Sequence, residues 1–307
     1  MNIYYSTARA PELKTIESLR TGAWIHVEAP NAEELQRLSE DFNLDIDLLN
    51  DAVDPYEAPR IEQEDDTVYV FTRYCYPENG VNATEPLLII YRDDCLITIV
   101  RAQTNILKRL QNGQRPVITT QKTKTLLQII EEVNETYTRY LNVTTRQVLR
   151  ARTQLRGKNI SNEQLLQFVD LEDDLNEMLS ALQPQASMLR NLLNGKFIRL
   201  YEQDKDLIED LSLGTAELIE LAKSRVKTIV NIRQAYDAIA TNELNKTFRR
   251  LTSISIFLMI PTIVSGIFGM NVPLPLQEHP YAFWFVIAFI VLACASTVLV
   301  FRRKRWL

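Results

Sequence analysis

The 307-residue chain is poor in the residues that mark most soluble chemistries. It has three cysteines, Cys75, Cys95 and Cys294, with no C-x-x-C spacing and no neighbouring histidine, which excludes a zinc ribbon and a disulfide framework and leaves them as small buried hydrophobes. It has two histidines, and His279 has no partner at ligand spacing. Only 8 glycines and 12 prolines occur, so a low-complexity or fibrous chain is excluded and a largely helical fold is expected. No glycine-rich phosphate loop and no nucleophile motif appears, which points away from an enzyme. The first ten residues lack a basic segment followed by an apolar run, so no secretory leader is expected.

Basic charge is also lacking, but unevenly. The formal net charge is -5. From Glu243 onward seven bases, among them Lys246, Arg249, Arg250 and the run Arg302 to Arg305, face only Glu243 and Glu278, so this part carries +5 and the remainder -10. An acidic body of that size excludes nucleic acid as a partner, because phosphates require a basic surface. It suits a cation.

What the chain has instead is two long uncharged runs, TSISIFLMIPTIVSGIFGM at 252–270 and YAFWFVIAFIVLACASTVLVF at 281–301. At about 1.5 Å per residue each crosses a hydrocarbon core of roughly 30 Å. Bases precede the first run and follow the second (302–307), so both ends are expected on the cytoplasmic side. The connection at 271–280, with Pro273, Pro275 and Pro280, is expected outside as a short extended turn. Tyr281, Trp284 and Trp306 fit an aromatic belt at the membrane boundaries.

Two helices cannot enclose an aqueous path, so conduction would require several copies around an axis. On a helical wheel Asn245, Phe248, Thr252, Ser255, Met259, Thr262 and Gly266 fall within about one hundred degrees of one another. The opposite side carries Ile254, Phe257, Ile260, Val264, Ile267 and Phe268. Such a stripe suits a pore lining, although small and hydroxyl residues also mediate close helix packing in lipid.

The first run ends in Gly269-Met270-Asn271. A given tripeptide of this kind arises at on the order of 1 in 10,000 positions at average residue usage. Its place at this junction, with Pro261 inside the span, Gly266 in its outer half and a basic C-terminal segment, resembles the CorA family of magnesium channels. Two departures stand out: Phe268 precedes the tripeptide where the family usually has Tyr, and the loop reads Pro275-Leu276-Gln277-Glu278 in place of Met-Pro-Glu-Leu. The zinc-transporting branch typically varies the tripeptide, so the intact one favours magnesium.

The resemblance implies a homopentameric funnel in the cell membrane of a prokaryote: an α/β N-terminal cytoplasmic domain (1–120), a helical stalk domain (121–251) and two C-terminal transmembrane helices. It implies passive transport of Mg2+, with cobalt and nickel as secondary ions. Gly269, Met270 and Asn271 would form the selectivity filter. Positions matching Asn245, Leu251, Met259, Gly266 and Asn271 line the family's pore. From the residues themselves, Phe248, Leu251 and Met259 would be apolar constrictions, and Glu278 in the outer loop is either a cation-concentrating ring or a solvated loop carboxylate. A zinc or broad divalent transporter is the second reading, and a non-conducting membrane-anchored sensor or scaffold is a third, of another class.

For the N-terminal part, strands are expected at 1–5, 24–27, 68–75, 87–91 and 96–100 and helices at 32–42 and 45–49. Helices then run over 122–156, 162–193 and about 208–270, the last continuous with the first span. Two acidic clusters stand out, Glu163, Asp170, Glu172, Asp173, Asp174 and Glu177, and then Glu202, Asp204, Asp206, Glu209, Asp210, Glu217 and Glu220. These are either solvated faces or places where like-charged subunits are bridged by cations. In the family, magnesium between cytoplasmic domains holds the closed state, and Asp210 is the position expected to bind it here.

Overall fold

A computed structural model describes residues 1–78, 81–154, 162–272 and 280–304. The chain divides into two compact units, Met1–Asn231 and Ile232–Leu307.

The first unit is built on a seven-stranded sheet: β1 (Asn2–Thr7), β2 (Ala10–Thr15), β3 (Ala23–Glu28), β4 (Arg60–Glu64), β5 (Thr67–Glu78), β6 (Val81–Tyr91) and β7 (Cys95–Val100). Their order is β2-β1-β3-β7-β6-β5-β4. Among the described residues only β3 and β7 pair in parallel. β7 reads Cys-Leu-Ile-Thr-Ile-Val and is buried at all six positions, the pattern of a strand covered on both faces. One cover is α1 (Ala32–Phe42) and α2 (Ile46–Asp51), whose Leu35, Leu38 and Leu49 join Ile25, Phe71, Ile90 and Ile97 in one apolar cluster. α1 starts on a capping box: the Asn31 side chain accepts from the Glu34 amide, and Glu34 accepts from the amide of Asn31. That arrangement satisfies two otherwise orphaned donors.

After a short α3 (Lys108–Gln111), the opposite face is covered by α4 (Lys122–Gln154) and α5 (Asn162–Leu193). Trp24 lies fully buried on that face and donates its indole N–H to Thr98 Oγ1 at 2.9 Å. Trp24→Ala is expected to cost about 3–5 kcal/mol of stability through cavity formation, and Trp24→Phe clearly less. Thermal unfolding of the full chain checks this, and a loss below about 1 kcal/mol would contradict the core placement. The sheet is joined to the start of α4 at Gly22, whose φ is +85°. A side chain there would stand 2.9 Å from Thr120 Cγ2, so glycine is required twice over.

Cys75 and Cys95 are buried and free. Burial raises both thiols, that of Cys95 to about 12, so they are inert hydrophobes as expected. Cys294 is also free but only partly covered.

α6 (Glu202–Phe268) is a single helix of 67 residues. Its N-terminus is set by Asp204, whose carboxylate accepts the Tyr201 amide at 3.0 Å. It starts a few residues earlier than the sequence periodicity suggests. Pro261 lies inside it without ending it; the ring removes one N–H and leaves the Phe257 carbonyl without its usual intrahelical donor. The second unit holds the C-terminal part of α6 and α7 (Ala282–Arg303).

Candidate functional site

α6 and α7 each contain a segment long and apolar enough to cross a membrane, and nearly all of each segment is exposed. A core helix of a soluble protein would be buried, so exposed surfaces of this size require lipid or other subunits. Phe283, Trp284, Phe285, Phe289, Leu292 and Leu299 on α7 are all more than half exposed.

Within the second unit each helix has one face that is partly covered. On α6 the covered or half-covered positions are Ser253, Ile256, Ile260, Pro261 and Val264. On α7 they are Ala282, Val286, Ile290, Ala293, Cys294, Thr297, Val298 and Phe301. Both sets repeat every three to four residues, as helix faces do. The α6 set falls on the apolar side predicted to oppose the stripe. Its centre is about 140° around the helix from that of the stripe, at 100° per residue. Asn245, Phe248, Leu251, Thr252, Ser255, Met259, Thr262 and Gly266 are all exposed. They are thus available to other copies or to solvent.

The hydroxyls of this stripe have a defined polarity. Ser255 donates to the Leu251 carbonyl at 3.0 Å and Thr262 to that of Leu258 at 2.9 Å. With each hydrogen committed to the backbone, the oxygen presents only lone pairs outward. The helix ends just beyond: the Gly269 amide donates to the Ser265 carbonyl at 2.9 Å and the Met270 amide to that of Ile267 at 3.3 Å. A Cβ at position 269 would lie 3.2 Å from the Ser265 oxygen, closer than a side chain ordinarily sits, so glycine suits this last turn by space. At Gly266 a Cβ would meet nothing within 4 Å. Asn271 follows, exposed, beyond the final turn. Glu278, with the loop around it, and Trp306 lie outside the described residues.

The acidic clusters divide on inspection. Asp174 is buried, and the partly exposed Glu177 accepts from Thr84 Oγ1 of β6 at 2.6 Å and lies 3.8 Å from Arg73, so this part of the first cluster is tied to the sheet. Asp204 is used at the helix start. Glu202 pairs with Lys205 at 2.8 Å and Glu220 with Lys223 at 2.9 Å. Asp210 and Glu209 remain exposed on α6. Among the described residues no three His, Cys, Asp or Glu side chains converge on a metal position within the chain. A cation at Asp210 would therefore need ligands from a second copy or from water.

A family model described as "CorA-like Mg2+ transporter protein" matches residues 20–303. The cobalt/magnesium transport protein CorA of Methanocaldococcus jannaschii is 24% identical over 295 residues, covering 92% of this chain and 91% of that protein. The magnesium transport protein CorA of Campylobacter jejuni is 21% identical over 304 residues, with the same coverage. The complete structure of the CorA magnesium transporter from Methanocaldococcus jannaschii superposes with a TM-score of 0.87 at 21% identity, over 100% of this chain and 98% of that one. The α/β domain, long helix and two terminal apolar helices are thus a known architecture.

Proposed function

The chain belongs to the CorA family of magnesium transporters, and from that membership we propose that it is a passive channel for hydrated Mg2+ in the cell membrane, with both termini cytoplasmic. The observation that carries the proposal is the stripe on α6: exposed, lined with acceptor oxygens and ending at Gly269-Met270-Asn271. Its second expected cargo is cobalt, on the strength of the relative named for cobalt and magnesium, followed by nickel.

The chemistry follows from the ion's water. Mg2+ holds six waters at about 2.0–2.1 Å and sheds them reluctantly. Those waters point their hydrogens outward, so a path for the hydrated ion must offer acceptors. The Asn271 carbonyl supplies one per subunit at the outer end, and the committed hydroxyls of Thr262 and Ser255 supply more below it. Asn245 provides a second amide ring near the cytoplasmic end. Carboxylates at the same place would act differently. A unit-charge pair at 4 Å is worth about 1 kcal/mol even in bulk water, so a divalent ion in a ring of five carboxylates would gain on the order of 10 kcal/mol and leave slowly. Amides select without trapping.

Five copies around one axis, as the family resemblance implies, would bring the stripes together, with Gly266 and Gly269 allowing close approach. Lipid would contact the aromatic face of α7. Glu278 in each copy would draw cations toward the entrance. On the cytoplasmic side Asp210 would bind Mg2+ between subunits and hold the channel closed, so that internal Mg2+ limits its own entry.

The test is cation uptake into proteoliposomes of the full chain, comparing Mg2+ with Zn2+. A channel for Mg2+ shows saturable Mg2+ uptake that exceeds Zn2+ uptake; the reverse order assigns the chain to zinc, and no flux of either makes it a sensor or scaffold. In the same vesicles Asp210→Ala is expected to weaken inhibition by internal Mg2+ about tenfold. Unchanged inhibition would remove Asp210 from the regulatory role.

A further inference from the structure

Four buried polar side chains connect the sheet to α6 in one unbroken line. Thr72 of β5 donates its hydroxyl to Gln185 Oε1 of α5 at 2.9 Å. The Gln185 amide donates to Asn134 Oδ1 of α4 at 2.6 Å. The Asn134 amide donates to Thr215 Oγ1 of α6 at 3.0 Å, and Thr215 donates onward to the Leu211 carbonyl at 2.7 Å. Thr72, Gln185 and Thr215 are 1% exposed or less, and Asn134 is 8% exposed.

Each group in this line uses its hydrogen in the same direction, so every bond polarises the next. A buried amide or hydroxyl without a partner costs about 1–3 kcal/mol, so the line is stable only when complete. It is complete at one position of α6 relative to α4 and α5. Among the described residues the other attachments of α6 to this unit are the part-buried Arg225, which donates to Thr145 Oγ1 of α4 at 3.2 Å, and an apolar set in which Ile208, Leu211, Leu218, Ile219 and Ala222 are buried. Apolar contact is non-directional and tolerates sliding, whereas a hydrogen-bonded line has a single register. Its last acceptor, Leu211, is the residue after Asp210.

We propose that the Thr72–Gln185–Asn134–Thr215 line is the coupling element of the molecule. It locks the register of α6 against the α/β domain, so that a cation held at Asp210 and the position of the pore helix are set by one equilibrium. Gln185, Asn134 and Thr215 are positioning residues in this scheme and touch no ion. The inference rests on the reading of Asp210 as a regulatory position.

The test uses the full chain in proteoliposomes, with the internal Mg2+ concentration that halves uptake as the readout. Thr215→Val removes the hydroxyl at constant shape and is expected to raise that concentration about tenfold. Thr215→Ser keeps the hydroxyl and stays within about twofold. Leu218→Ala weakens the apolar attachment of the same helix and should lower the melting temperature without moving the half-inhibitory concentration. Because the members act in series, adding Gln185→Met to Thr215→Val produces no further shift. The proposal is overturned if Thr215→Val leaves the inhibition unchanged, or if Leu218→Ala moves it as far.

Should the wild-type chain carry no Mg2+, the functional reading fails and the line is still tested by hydrogen exchange. In the wild type, amides of 205–220 and of β5 then open together, and in Thr215→Val those of α6 open first. Unchanged co-opening in the variant refutes the coupling.

Discussion

Asn271→Ala is expected to reduce Mg2+ uptake on the order of 100-fold or more while leaving the fold intact. The size of the effect follows from the chemistry of the water shell. A hydrogen bond to a charged partner contributes about 1.5–3 kcal/mol, and a neutral one about 0.5–1.5 kcal/mol. A hydrated cation donates bonds between these limits, and in the proposed ring every subunit would lose one at the same point of the path, so the summed loss would exceed the roughly 2.7 kcal/mol that corresponds to 100-fold. The fold is spared because Asn271 is exposed and stands after the last turn of α6, where a substitution ordinarily changes stability by less than about 0.5 kcal/mol. Asn271→Asp separates charge from hydrogen bonding: it restores an acceptor but adds a negative ring, so Mg2+ should bind more tightly and pass more slowly. Uptake in proteoliposomes, followed by a Mg2+-sensitive dye and normalised to protein recovered as the intact oligomer, reads all three. An alanine variant with wild-type flux would show that the amide is not the selective element.

The membrane part was legible in the sequence because its signal is local. Runs of uncharged residues at 252–270 and 281–301 correspond to the end of α6 at Phe268 and to α7 at Ala282–Arg303. α1 was equally clear, since Asn31 and Glu34 spell a capping box ahead of a periodic apolar pattern. The central strands β3 and β7 announced themselves by continuous hydrophobicity. Two strands gave no such sign. β2 and β4 form the two edges of the sheet; Ala-Pro-Glu-Leu-Lys-Thr is mostly exposed, and Arg-Ile-Glu-Gln-Glu is half-buried or exposed with no fully buried residue. Charge and proline protect an edge from pairing with other chains, and the same residues conceal it from a reading based on hydrophobic alternation. Strand order was beyond reach for a different reason: the parallel pairing of β3 with β7 joins residues some seventy positions apart, and local pattern carries no record of it.

The candidate site divides along the same line. The face of α6 that bears Ser255, Met259 and Thr262 follows from helical periodicity alone, and the structure leaves that face uncovered. The acidic clusters could not be sorted from sequence, because whether Glu177 meets solvent or Thr84 depends on how α5 lies on β6. Asn134 and Gln185 were invisible for the opposite reason. A single amide in the middle of a helix ordinarily reads as a surface residue, and only the packing of four elements turns these two into a buried line. Pro184, beside Gln185 inside α5, was the one local irregularity there.

Leu251→Asn is expected to produce a leak that persists at high internal Mg2+, raising uptake under inhibiting conditions at least tenfold. Leu251, Phe248 and Met259 are the bulky apolar members of an otherwise polar or small stripe, each more than half exposed in the chain. Gathered around an axis, such side chains form a constriction from which water withdraws, and an ion with its shell intact cannot follow. The barrier is hydrophobic in origin. Keeping one leucine side chain out of water is worth about 1.5–3 kcal/mol, which is a factor of about ten to a hundred in the probability of wetting, before the copies in other subunits are added. Asparagine supplies a polar side chain that water tolerates, so the proposed constriction would stay wet whatever the N-terminal domains report. Met259→Ser should leak in the same direction. Ile254→Ala provides the contrast, because that residue points away from the stripe and its truncation should leave the closed state tight. Uptake measured with vesicles preloaded with Mg2+ discriminates the cases. If Leu251→Asn is as tight as the wild type while Asn271→Ala abolishes flux, the gate lies elsewhere on α6. If Ile254→Ala leaks as strongly as Leu251→Asn, the stripe is not the lining and α6 must be rotated about its axis in any account of the pore.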